Sequence, residues 1–99
     1  MMTFTRYTEI AKFPMNSLSI EKRKTGAFGK DTYIVLIING VDFVADNYAN
    51  AWRLSDAIEK KEGITCTKTF AGNAADEYSE TFKYKIFYDV DGWIYISKI

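Results

Sequence analysis

The groups best equipped for chemistry in this 99-residue chain are few, and each lacks the companions its chemistry needs. Asp89-Val-Asp-Gly92 has the form of part of a calcium loop. An EF-hand would add an oxygen ligand two residues earlier and a bidentate Glu at its last position. This chain has Phe87 and Lys98 there, so the segment is expected to be a turn. Gly26-Ala-Phe-Gly29-Lys30 has the outline of a phosphate loop or of the GXXG clamp of RNA-binding modules. A phosphate loop needs four residues between its glycines and a helix behind its Lys, and here a β-rich run follows. A hairpin loop is expected, with Lys30 a candidate phosphate contact. Asp56, Glu59 and Glu62 recur every third residue, but Lys60 and Lys61 interrupt them, as on a solvated helix face.

Cys66 is the one cysteine and there is no histidine, so an intramolecular disulfide, a four-Cys zinc site and a His general base are all excluded. Between Ile64 and Lys68 on an alternating run, the thiol reads as a small buried hydrophobe. Lys22, Arg23 and Lys24 form a short basic cluster. Lysines of this kind guard a sheet edge against pairing with other chains, and with Lys30 they make an alternative phosphate-binding patch. The remaining constellation is aromatic: Phe87, Trp93 and Tyr95 alternate onto one face of the last two strands with Lys83 and Lys85. That face is either covered by another segment, a hot-spot surface for a protein partner, or a stacking platform for single-stranded nucleic acid.

The elements that must position these residues are legible from period and turn chemistry. Asn39-Gly40 suits a type I′ turn. It pairs Ile38 with Val41, Leu36 with Phe43 and Ile34 with Ala45, all apolar, while Asp42 and Tyr33 take the other face. Ser17–Lys24 alternates as an earlier strand, with Leu18 and Ile20 inward. From Asp46 the period becomes helical: Asp46 or Asn47 is expected to cap a helix over Tyr48–Glu62, closed by Gly63. Tyr48, Ala51, Trp52, Ser55 and Ile58 are expected to face the sheet, with Leu54 at the border and Arg53 and Lys60 in water. Ile64–Phe70 is a strand whose inner row is broken by Lys68, which suggests that the strand leaves the core there or lies at an edge. Thr81–Asp89 and Trp93–Lys98 form the last hairpin around a three-residue loop, Val90-Asp91-Gly92, with Gly92 in the bulge position. Phe82, Tyr84, Ile86, Tyr88, Ile94 and Ile96 then point inward. Residues 1–14 fit a helix through Phe4, Tyr7, Ile10 and Ala11, or a short strand, and Pro14 ends either.

One domain over 1–99 is expected, of α+β class. Its single antiparallel sheet has about five or six strands in the order βββαβββ, with one amphipathic helix packed on it. Thirteen basic residues balance thirteen acidic ones, against both a phosphate-backbone binder and an acidic nucleic-acid mimic as a whole. No apolar run nears the ~20 residues of a membrane helix and the start lacks a signal sequence, so a cytoplasmic protein without membrane contact is expected. Seven Tyr, seven Phe and two Trp are more rings than one helix and a small sheet can hide. No cofactor or metal is called for, and no enzyme. In size, in its Tyr-, Phe- and Asp-rich composition and in its lack of catalytic motifs, the chain resembles the small phage-encoded proteins that bind and disable host machinery, anti-CRISPR proteins among them. The resemblance implies a protein partner and assigns no residue.

Overall fold

The computed structural model describes residues 4–25, 31–47, 50–59, 62–71, 79–89 and 91–99. The chain runs β1 (Ile10–Pro14), a 3-10 turn (Met15–Ser17), β2 (Leu18–Thr25), β3 (Asp31–Ile38), β4 (Val41–Ala45), α1 (Ala51–Glu59), β5 (Ile64–Phe70), β6 (Glu80–Tyr88) and β7 (Trp93–Lys98). All seven strands form one antiparallel sheet in the order β1-β7-β6-β5-β4-β3-β2, one strand more than expected. The additional strand is β1, whose Ala11 and Phe13 are buried while Ile10 and Lys12 lie outside.

The hairpin signals are realised in the expected registers. Asn39 and Gly40 both hold positive φ, 51° and 82°, and pair Leu36 with Phe43 and Ile38 with Val41. At the last hairpin the Asp89 N–H donates to the Trp93 carbonyl and Gly92 sits at φ 84°, as a three-residue loop requires. Tyr84, Ile86, Ile94 and Ile96 are buried, with Phe82 and Tyr88 packed against them.

Two strands at opposite edges, β1 and β2, are joined directly. A flat sheet of this order would hold its edges about 29 Å apart at the usual strand spacing. The three-residue link Met15–Ser17 reaches at most about 14 Å from Pro14 to Leu18. The sheet therefore curls until its edges converge at the 3-10 turn. Helix α1 fits that geometry, since it touches β6, β5 and β2 on the concave side. Phe4 closes the aromatic part of the core, with ring centroids 5.3 Å from Phe43, 5.4 Å from Tyr84 and 6.1 Å from Phe70.

Three expectations are corrected. The helix starts at Ala51, because the Asn50 side-chain oxygen accepts the Arg53 N–H at 2.9 Å; Asp46 instead turns its carboxylate to Thr67 and Lys83. Its buried stripe is Leu54, Ala57 and Ile58, and Trp52 is 75% exposed. Leu54 and Ile58 sit one turn apart and Ala57 between them, so the stripe centres there, about 200° around the helix from Trp52. Third, β5 lies in the middle of the sheet between β4 and β6. Lys68 is accommodated because β4 pairs with β5 only at Thr67 and Cys66, and because its ammonium lies 5.8 Å from the Phe70 ring centre. Lys30, Tyr48, Lys60 and the greater part of the Ala71–Ser79 stretch lie outside the described residues.

Candidate functional site

Strand alternation places Phe87 on β6, Tyr95 on β7 and Lys12 on β1 in one row across the convex face, because Phe87 opposes Tyr95 and Tyr95 opposes Lys12. The next row holds Trp93 beside Pro14, and the row on the other side holds Lys85, Ser97 and Ile10. The Phe87 and Tyr95 rings stack with centroids 5.4 Å apart and planes 9° from parallel. The Lys12 ammonium lies 5.0 Å from the Trp93 ring centre, within cation–π reach. Trp93 is 37% exposed, so this aromatic surface is neither core nor covered by a described segment.

Asp91, in the turn, holds the surface in shape. One carboxylate oxygen accepts the Trp93 N–H at 3.0 Å and the other the Tyr95 hydroxyl at 2.6 Å. The Tyr95 hydrogen bond pulls the Asp91 carboxyl below its usual range, and the same bond raises the Tyr95 phenol. Both Asp91 oxygens are thereby engaged in an internal turn, which is what the calcium-like tetrapeptide does here.

The two lysines assigned to this face part company. Lys83 donates to Asp46 at 2.7 Å and to Thr67 at 2.8 Å, so its charge is spent within the sheet. Lys85 is exposed and lays its stem beside Gly63, where a Cβ would come 2.7 Å from the Lys85 Cε. Among the described residues neither Lys85 nor Lys12 forms a close ion pair, although the Lys12 charge helps hold the Asp91 carboxyl low.

The described members of the alternative basic cluster, Lys22, Arg23 and Lys24, do not share one face. Arg23 shares its guanidinium between Glu21 and Asp42, each at 2.9 Å, and those carboxylates hold its proton more tightly than usual. Lys22 and Lys24 alternate onto the other face of β2 from Arg23, on the edge strand at the other end of the sheet order from β1 and β7. The edge-guarding role fits this placement.

No family model, curated protein or solved structure matches this chain. Its function has to follow from the surface itself. Cys66 offers no nucleophile: the side chain is buried, and burial pushes the thiol up to about 12, so it stays protonated at neutral pH. Among the described residues no group of three His, Cys, Asp or Glu is placed to hold a metal ion, and no helix is long and apolar enough to cross a membrane.

Sequence reasoning named Phe87, Trp93, Tyr95 and Lys85 on one face and missed Ile10, Lys12 and Asp91. The available signal was the alternation in Ile10-Ala-Lys-Phe-Pro14, which is only two inward residues long and competes with the helical spacing of Phe4, Tyr7, Ile10 and Ala11.

Proposed function

We propose that this protein is a small non-catalytic protein-binding module that acts as an inhibitor by occluding a surface of a larger host protein or complex. The observation that carries this reading is the preorganised aromatic face: Trp93 beside stacked Phe87 and Tyr95, fixed by Asp91, with Lys12 and Lys85 in no close ion pair among the described residues. Rigid aromatic anchors lose little rotamer entropy on binding, and a few of them carry most of an interface. Lysines not held in close ion pairs favour an acidic partner surface.

A nucleic-acid partner is the competing reading, and the same lysines are what favour it. The ring geometry weighs against it, because Phe87 and Tyr95 turn faces toward each other that a flat stacking platform would offer to bases. Trp93→Ala should leave the thermal midpoint within about 2 °C, and weaken binding to the partner captured from host extract by ~2 kcal/mol or more, roughly thirtyfold. A large midpoint drop, or unchanged affinity, would remove Trp93 from the site. An affinity that falls by several decades between low and physiological salt would transfer the surface to nucleic acid.

A further inference from the structure

Strand β1 ends the sheet with an open row of backbone groups. The Lys98 N–H donates to the Glu9 carbonyl at 2.8 Å, which makes Glu9 and Lys98 a hydrogen-bonded pair. In an antiparallel ladder such pairs alternate with non-bonded ones. Ala11 and Phe13 therefore spend their N–H and carbonyl groups on β7, and Ile10 and Lys12 point theirs away from the sheet. Pro14 closes the row: it has no N–H, and its carbonyl accepts the Ser17 hydroxyl at 2.6 Å. Beside these four groups, which have no partner among the described residues, lies an apolar cleft of about 200 Å³ lined by Ile10, Ala11, Lys12 and Tyr95. The edge, the cleft and the aromatic face are thus continuous, and Ile10 is 59% exposed between them.

We propose that β1 receives an extended acidic–aliphatic segment of another protein as an eighth strand, an inference that rests on the protein-binding reading and names how the partner docks. Backbone pairing with Ile10 and Lys12 supplies the attachment, and side chains on alternate residues supply the selection. Residues opposite Lys12 and Ile10 lie two apart on the convex face. A carboxylate opposite Lys12 gives a direct ion pair to an ammonium that otherwise meets the Trp93 ring and, at longer range, Asp91, and an aliphatic side chain opposite Ile10 enters the cleft against Tyr95.

Charge decides between this occupant and a second copy of the chain. The other open edge, β2, carries Lys22 and Lys24, both exposed, and on that strand the outward-facing backbone belongs to Leu18, Ile20, Lys22 and Lys24. Joining β1 to β2 of another copy sets lysines of one edge among lysines of the other, and joining β1 to β1 brings two Lys12 side chains together. Like charges facing across strands oppose pairing, so the edges repel their own kind and attract acidic strands. Edge β2 also lies against α1.

The test is backbone amide hydrogen exchange on the whole protein, with and without a short synthetic peptide repeating Thr-Glu-Thr-Val, and with its Thr-Lys-Thr-Val counterpart. Without peptide, Ala11 and Phe13 should exchange slowly and Ile10 and Lys12 fast. The glutamate peptide should slow Ile10 and Lys12 by on the order of tenfold or more, and the lysine peptide should not. Lys12→Pro deletes an outward donor that no described residue uses and should abolish this binding, whereas Lys12→Gln should only weaken it. Glutamate peptide that binds while leaving Ile10 and Lys12 fast, or that fails to bind at millimolar concentration, overturns the edge proposal. Either result leaves the aromatic-face reading to stand or fall on Trp93→Ala.

Discussion

Replacing Tyr84 by Phe should make this protein more stable. The Tyr84 hydroxyl is buried, its residue 0% exposed, and it finds no hydrogen-bond partner among the described residues. A buried hydroxyl without a partner costs about 1–3 kcal/mol relative to water. The ring-to-ring contacts survive the change: Phe4 at 5.4 Å and Phe43 at 5.7 Å between ring centroids, both edge-on. The void left by one oxygen gives back part of the gain, so a net of ~1 kcal/mol is expected. In a domain of this size that is a rise of roughly 4–8 °C in thermal midpoint. Calorimetry, together with urea unfolding at unchanged m-value, measures it. The variant should also resist alkali better. Burial foremost, with Glu9 adding to it, raises the Tyr84 phenol above its ordinary 10.0. The folded state therefore keeps a proton that the unfolded chain gives up, and the associated stability is present below about pH 10 and lost as pH climbs through the folded value. A Phe variant that melts lower by 1 kcal/mol or more would refute the reasoning and show that the hydroxyl has a partner.

The other predictions separate core from surface. Ile58→Ala should cost ~2–5 kcal/mol, because the side chain is fully buried, while Trp52→Ala should stay within ~0.5 kcal/mol; equal losses in denaturant unfolding would contradict the helix orientation. Cys66 behaves as Tyr84 does: its thiol moves from 9.0 to about 12 chiefly by burial, so stability should decline as pH rises across that interval. In Cys66→Ala that decline should be shallower, whatever the offset at neutral pH, and parallel pH–stability curves would show the thiol takes no part.

Local chemistry was legible in the sequence wherever one short segment determines its own geometry. Asn39-Gly40 and Gly92 dictate backbone turns, and the turns then set register for Leu36, Phe43, Tyr84 and Ile96 without help from elsewhere. The helix position was legible and its rotation was not, since Trp52 is the largest apolar residue in the segment and period alone drew the stripe toward it. Leu54 wins because it and Ile58 meet a concave sheet face, a tertiary fact. Strand β1 depends on β7, far along the chain, and five residues with two inward side chains announce nothing locally. The aromatic face was found from alternation. Its neighbour Lys12 and the departure of Lys83 toward Asp46 were hidden, because cross-strand partners follow from strand order, which alternation does not encode.

The pairing of β1 with β7 also governs when this sheet can be finished. Hairpins β2–β3, β3–β4 and β6–β7 join neighbours in sequence, and each can form from a few dozen residues or fewer. The ladder Ile10–Pro14 must wait for Trp93–Ser97, so the first strand of the sheet is the last that can dock during synthesis. Until then β2 has lost nothing, but Ala11 and Phe13 remain in water and β7, once made, offers its own bare edge. Such high contact order places folding toward the slow end of the millisecond-to-second range. A chain in which β1 has not yet docked would leave that β7 edge open to strands of other chains.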